Sequence, residues 1–253
     1  MQPHYDDQTP VVLRNLLLHT TTIKSVPKNA GAMLELFPHW DYWQLRVPAT
    51  SDCHVELGGN YSQSQIVDMP FHDYLAYLRV FEDRFGRRKE HQQQATTKDD
   101  DDDTNDTNLQ KPGPEDLIYL AQNDVFPEVM EDIEVPSFVM ELGEGKLYST
   151  MLWMGPYGCV SPLHYDPLDN LLMQFVGIKH VVVCAPSSLV NAGSEGNQVN
   201  TSPINPEYDA DLPADVHFFQ TTLYPGDALF LPKKWYHYLR TVETSISINT
   251  WFR

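Results

Sequence analysis

From residue 147 to residue 253 the apolar residues fall into short runs, at 147–154, 170–176, 179–185, 228–231 and 244–252, with Pro, Gly and Asn between them. Segments of this length cannot satisfy their backbone groups alone and must pair with neighbours. That constraint predicts a mainly β fold, a sandwich or a jelly-roll barrel. With 253 residues, 42% of them hydrophobic, the chain can bury one sizeable core, so a single domain over 1–253 is expected. None of the runs approaches the roughly 18 apolar residues of a membrane span, so no membrane partner is expected.

Ahead of this region the pattern is mixed. Residues 10–16 read as a strand entering the fold, 33–42 as a helix and 43–47 as a strand. From Phe71 onward, Phe71, Tyr74, Leu75, Leu78, Phe81 and Phe85 recur at steps of three and four, the mark of an amphipathic helix. Gly86 and the cations Arg84, Arg87 and Arg88 suit its C-terminus. The stretch 89–114 lacks apolar periodicity and carries aspartates at 99–103 and at 106. It reads as a disordered acidic insertion within the domain.

The formal net charge is −18, and it stays strongly acidic without that insertion. Proteins that grip nucleic acid gain affinity by neutralising phosphates with Lys and Arg, so the balance disfavours such a partner and suits a basic protein. Three scattered cysteines, Cys53, Cys159 and Cys184, form no Cys-x-x-Cys pair. They predict reduced thiols and an intracellular location, nucleus and/or cytoplasm. The first seven residues hold no basic segment followed by an apolar run, so no secretory leader is expected.

Two residues apart on a strand, side chains point the same way, so a His-x-Asp pair can offer two ligands to one metal. Non-haem iron(II) sites use two histidines and one carboxylate and leave positions open for other ligands. With 10 histidines and 35 acids, chance supplies roughly one or two His-x-acid pairs. The chain has four: His4/Asp6, His39/Asp41, His54/Glu56 and His164/Asp166. The first lies in a terminus expected to fray, the second near a helix end, and the third lacks a partner histidine in a comparable setting. Only His164/Asp166 follows a turn, at 155–158, and precedes two apolar strands. Beyond them Tyr224-Pro-Gly-Asp and a buried strand lead to Trp235-Tyr236-His237, where His237 can supply the third ligand. A histidine packed among aromatics is the plainer reading of His237 when it is taken alone.

Lys179 opens an apolar strand, and a lysine there needs an anion or a route to water. An exposed strand end would serve it equally well. A buried lysine would suit the far carboxylate of 2-oxoglutarate, whose keto-acid end chelates iron.

From residue 119 to 251 the chain resembles the JmjC hydroxylases, the group that includes the HIF asparaginyl hydroxylase, the arginyl hydroxylases and the tRNA wybutosine hydroxylase. The resemblance rests on Tyr119-Leu-Ala-Gln, Trp153-x-Gly-Pro, Ser161-Pro-Leu-His164-Tyr-Asp166, Asn170-x-x-x-Gln174-x-x-Gly177-x-Lys179, Pro225-Gly-Asp-x-Leu-Phe-x-Pro232, Trp235-Tyr-His237 and Asn249-Thr-Trp251. It implies a double-stranded β-helix, cupin-like, with N-terminal and flanking helices. It implies Fe(II) on His164, Asp166 and His237, and 2-oxoglutarate with its distal carboxylate on Lys179 and Tyr119 and with Ser161 as a hydroxyl partner. Asn170 and Asn249 would line the cosubstrate side, and Trp153 and Trp251 would wall the site. The implied activity is a dioxygenase that consumes O2 and 2-oxoglutarate and hydroxylates a protein side chain. Demethylation of methyl-lysine, hydroxylation of a tRNA base, a non-catalytic binding module and a zinc hydrolase stand as alternatives. The acidic insertion has no counterpart in this resemblance.

Overall fold

The computed structural model describes residues 1–19, 30–60, 65–86, 111–187, 190, 200–209 and 212–253. The tract 89–114, expected to be an insertion, lies outside the described residues apart from its last four.

The chain opens with α1 (Gln2–Asp6), β1 (Val11–Leu13), α2 (Leu16–His19), α3 (Ala30–Leu36) and α4 (Trp40–Arg46). The hairpin β2 (Asp52–Leu57) and β3 (Gln65–Pro70) leads into α5 (Phe71–Phe85). Next come β4 (Ile118–Asp124), α6 (Pro127–Met130), α7 (Phe138–Glu141) and β5 (Leu147–Gly155). The remainder is strand: β6 (Val160–Tyr165), β7 (Asp169–Val176), β8 (Lys179–Cys184), β9 (Phe218–Leu223), β10 (Ala228–Leu231), β11 (Tyr236–Thr241) and β12 (Ser245–Phe252). They form an eight-stranded sheet in the order β1-β10-β7-β12-β5-β4-β2-β3 and a four-stranded sheet in the order β6-β11-β8-β9. Every pairing within the two sheets is antiparallel. The fold is the expected mainly β, jelly-roll type with helices on its N-terminal side.

The two-residue period of a strand sorts the central strands into an outer and an inner face. On β7, Leu171, Met173 and Phe175 join the large core that the helices cover. Leu152 and Met154 of β5 and Ile246 and Ile248 of β12 belong to the same core, with Phe37, Trp43, Phe71 and Leu78 packed on them. Residues of the opposite parity look between the sheets, where Leu172, Val181, Val183, Leu229, Leu231 and Leu239 make a smaller apolar cluster. Because both faces are covered, β7 is buried along its whole length, its polar Asp169, Asn170 and Gln174 included. The inner face also carries polar residues, and these build the site described below.

Helix α5 buries the six aromatic and leucine side chains that its spacing predicts and ends at Gly86, whose φ of 76° suits glycine. The region before it departs from expectation. A single helix over 33–42 and a strand over 43–47 give way to two helices, α3 and α4. Pro38 has no N–H and restricts the residue before it, which breaks the first helix. In a strand, Trp43, Leu45 and Val47 would share a face. In the helix, Trp43 and Val47, four apart, are buried at 0% and 1% exposure while Leu45 is 87% exposed. The Trp43 indole also donates to the Phe37 carbonyl at 2.9 Å, tying the two helices together. The N-terminus is likewise not frayed: α1 is a helical turn whose Tyr5 ring lies 6.0 Å from Phe230 and 6.4 Å from Phe252.

Tyr74 of α5 links this helical layer to the sheet. Its hydroxyl donates to the Met154 carbonyl and accepts from the Leu120 amide, where β4 and β5 meet. Tyr74→Phe removes that group from a buried position and should lower stability by about 1–3 kcal/mol. Urea unfolding with an unchanged m-value checks it. An unmoved midpoint would mean that these backbone groups are satisfied without the hydroxyl.

Candidate metal centre

Strands β6 and β11 pair so that His237 stands directly opposite His164. Opposed residues of an antiparallel pair share a face with their Cβ atoms close together, and the two rings lie 4.2 Å apart by centroid. Asp166 follows His164 by two residues, just past the end of β6, and its Oδ2 lies 3.6 Å from His237 Nε2. One ligand atom from each of His164, Asp166 and His237 falls within 4.8 Å of the others. Among the described residues this is the one group of three His, Cys, Asp or Glu side chains so arranged.

The protonation pattern suits a metal. His164 Nδ1 lies 2.7 Å from the Pro162 carbonyl, and His237 Nδ1 lies 3.0 Å from the Trp235 carbonyl. A carbonyl only accepts, so each Nδ1 donates to it and Nε2 is the nitrogen left for a ligand. A backbone carbonyl holding the second ring nitrogen is the usual way to orient a metal-binding imidazole. Burial lowers the pKa of His237 to about 4, helped by the neighbouring His164 and opposed by Asp166. The ring is therefore neutral near pH 7. Asp166 Oδ2 accepts from Asn170 Nδ2 at 3.0 Å and from Trp251 Nε1 at 2.9 Å. Two imidazoles held through their Nδ1 atoms and one restrained carboxylate fit a divalent ion that keeps open positions.

A cavity of about 250 Å³ adjoins the triad. All ten residues singled out from the sequence line it: the three above with Tyr119, Trp153, Ser161, Asn170, Lys179, Asn249 and Trp251. Lys179, at the start of β8, is 2% exposed, and burial brings its pKa down to about 7 with only a weak opposing pull from Cys159. Among the described residues no carboxylate pairs with it. A buried amine without a counter-charge is costly, and an anion entering the cavity would relieve that cost. The sequence alternative of an exposed strand-end lysine is thus overturned by burial.

The cavity also includes residues that the sequence argument gave no role. Gln122 has a φ of 53° at a bulge in β4, where the register against β5 shifts between Leu120 and Asn123. Bulges beside sites re-aim side chains, and nothing in a single sequence marks one here. Tyr148 stands at the mouth, 65% exposed. Asn200 is held against β6 by the Tyr165 amide, which donates to its carbonyl at 3.1 Å, and by its own Nδ2, which donates to the Tyr165 carbonyl at 2.9 Å. The other three His-x-acid pairs lie outside the cavity: His39 precedes α4 as its cap, and His54 pairs with Asp68.

A family model described as a cupin-like domain matches residues 2–253. The Jumonji C domain-containing protein 5 of Drosophila melanogaster is 29% identical over 241 residues, covering 87% of this chain and 53% of that protein. The lysine-specific demethylase JMJ30 of Arabidopsis thaliana is 29% identical over 262 aligned positions, covering 100% of this chain and 52% of the other. Lysine-specific demethylase 8 of Danio rerio is 37% identical over 146 residues, covering 53% of this chain and 36% of that one. The chain thus spans about half the length, or less, of these curated relatives. Among the described residues no helix is long and apolar enough to cross a membrane.

The folded pKa of Lys179, about 7, lies below its ordinary value of 10.5. Between these values the unfolded chain binds the proton that the folded chain has released, so stability rises with pH across that window. Lys179→Met, which keeps the stem and removes the amine, should be more stable than the parent below about pH 7, with the gap closing as pH rises. Urea unfolding of both proteins at about pH 6 and about pH 9 tests this. A gap that does not change with pH would mean that burial does not displace the proton.

Proposed function

Because the chain belongs to the family of cupin-like JmjC domains, we propose that it is an iron(II)- and 2-oxoglutarate-dependent oxygenase. The observation that carries the reading is the pairing of the two features in one cavity: a His/Asp/His triad whose two Nδ1 atoms sit on backbone carbonyls, and a buried lysine with no carboxylate partner among the described residues. A zinc hydrolase would need the triad but would leave Lys179 without a task. A non-catalytic module would need neither.

His164, Asp166 and His237 would hold the iron. Lys179, with the hydroxyls of Tyr119 and Ser161, would take the distal carboxylate of 2-oxoglutarate, where an ion pair gains most from the dry surroundings. Bound iron supplies the activation of O2 that lets oxidative decarboxylation of the cosubstrate drive oxidation of a C–H bond. In sum, 2-oxoglutarate, O2 and R–H give succinate, CO2 and R–OH. The side chains of this protein contribute position and exclusion of water: Leu172, Leu231 and Leu239 wall the cavity, and the Asn170 and Trp251 donors restrain Asp166.

For the substrate we favour a side chain of a protein, and of a basic one given the net charge of −18. Hydroxylation at a carbon of that side chain is the reading; hydroxylation of an N-methyl carbon, which would release the methyl as formaldehyde, is the alternative. A single domain over 1–253, interrupted by the acidic tract, is the organisation that goes with this reading.

The deciding experiment adds iron(II) and 2-oxoglutarate to the protein under nitrogen and looks for the weak visible charge-transfer band of the chelate. The band should vanish in His164→Ala. In Lys179→Ala it should need roughly tenfold to a hundredfold more 2-oxoglutarate, the worth of one hydrogen bond to a charged group. Because the ligand must find Lys179 protonated, affinity should also fall as pH rises above about 7. No band from a folded, metal-loaded protein would move the assignment to a zinc site or a binding module.

A further inference from the structure

Four buried side chains on three neighbouring strands and the opposite sheet form a line of hydrogen bonds. Trp153 Nε1 donates to Asn249 Oδ1 at 2.7 Å. Asn249 Nδ2 donates to Asn170 Oδ1 at 3.0 Å. Asn170 Nδ2 donates to Asp166 Oδ2 at 3.0 Å. Trp153 sits on β5, Asn249 on β12 and Asn170 on β7, adjacent strands of the eight-stranded sheet, while Asp166 lies just past the end of β6 of the other sheet.

The direction of such a line is not free. An indole N–H can only donate, and a carboxylate can only accept. Between a donor-only and an acceptor-only end, two amides have one consistent orientation. Turning Asn249 over would set its NH2 against the indole N–H. Turning Asn170 over would set its carbonyl against the carboxylate. Asn249 is 1% exposed and Asn170 5%, so no bulk water stands by to absorb the fault. The far end matters because Asp166 Oδ2 also accepts from Trp251 Nε1 at 2.9 Å. The carboxylate is thus held from two sides, and one of the two restraints depends on how Asn170 is turned.

We propose that Trp153 and Asn249 are positioning residues that act on Asp166 through Asn170: the indole sets the sense of both amides, and the amides keep an N–H, never a carbonyl, against the carboxylate. This goes beyond walling the cavity or touching the cosubstrate. It rests on the reading of the triad as a metal centre, and it makes a residue three strands away a determinant of metal affinity. Trp153 reaches no ligand atom in this role. Its effect passes entirely along the chain of amides.

The test uses Co(II) as the probe, without 2-oxoglutarate, so that contacts to the cosubstrate do not enter. Equilibrium affinity and the visible d–d bands of the Co(II) protein are read for the parent, Trp153→Phe, Asn249→Leu, Asn170→Ala and the double variant Trp153→Phe/Asn170→Ala. Trp153→Phe keeps most of the ring packing, Asn249→Leu leaves the indole in place, and thermal melting of each metal-free protein reports its fold. Trp153→Phe and Asn249→Leu should each weaken Co(II) binding by roughly 10- to 100-fold and shift the bands, as loss of an outer partner of a ligand does. In the Asn170→Ala background, Trp153→Phe should have no further effect, because its path to Asp166 is gone. Parent-like affinity and bands in a folded Trp153→Phe would overturn the proposal. So would an equal loss in both backgrounds, which is the signature of packing alone. If the parent itself binds no Co(II), the metal reading fails and this proposal falls with it; binding by the parent with an inert Trp153→Phe defeats only the proposal.

Discussion

Strand β11 is the ruler of the site. It lies between β6 and β8, and one register holds it to both: His237 faces His164 across one edge, while Thr241 faces Lys179 across the other. A one-residue slip would turn every side chain of β11 to the opposite face and take His237 out of the cavity. The four steps from His237 to Thr241 span about 13 Å of strand. The triad and the lysine are therefore set at a fixed spacing by backbone pairing, before any side chain is chosen. A bulge between His237 and Leu239 lets β11 follow β6 without disturbing its ladder with β8.

With that spacing fixed, burial does the electrostatic work. It keeps His237 neutral and pulls the Lys179 pKa down to about 7, so these two cavity walls add little stable charge of their own. On the proposed reading, one carboxylate, a divalent ion and one ammonium sum to two positive charges, which the two carboxylates of 2-oxoglutarate neutralise. The site is then dry, paired and neutral only when both ligands are present. An isolated buried charge is expensive, and this arrangement postpones that cost until the partners arrive together.

How much of this could be read from the residues varies with range. The strands of the C-terminal half were legible because their apolar runs are long enough and end in turn residues. The convergence of His164, Asp166 and His237 was legible from strand parity and the turn-strand-histidine return taken together, although His237 alone reads as a packed histidine. Lys179 stayed ambiguous until the structure showed it buried. Residues 33–47 depart from expectation because the stretch Trp-Gln-Leu-Arg-Val at 43–47 alternates apolar and polar residues as a strand does, and five residues are too few to separate that from a helix. Gln122 depends on a bulge, Asn200 on a loop folding back against β6. The amide chain joins residues 79 and 96 positions apart, which no local pattern can reveal.

The polar residues of the inner face raise a last question, why strands so rich in buried amides hold together at all. The answer lies in parity. Leu171, Met173 and Phe175 of β7 enter the helical core, while Asn170 and Gln174 look inward and find partners on β12. Ser247 donates to Gln174 Oε1 at 2.6 Å, and Gln174 in turn donates to the carbonyls of Val176 and Gly177. Asn170, Gln174, Ser247 and Asn249 thus find complements across the ladder or nearby along the same strand, so their stripe is tolerated in an interior that would reject it unpaired. One face of the same strand therefore carries stability and the other carries the site. Across the gap between the sheets, the Trp251 indole on β12 of one holds the Asp166 carboxylate just past the end of β6 of the other.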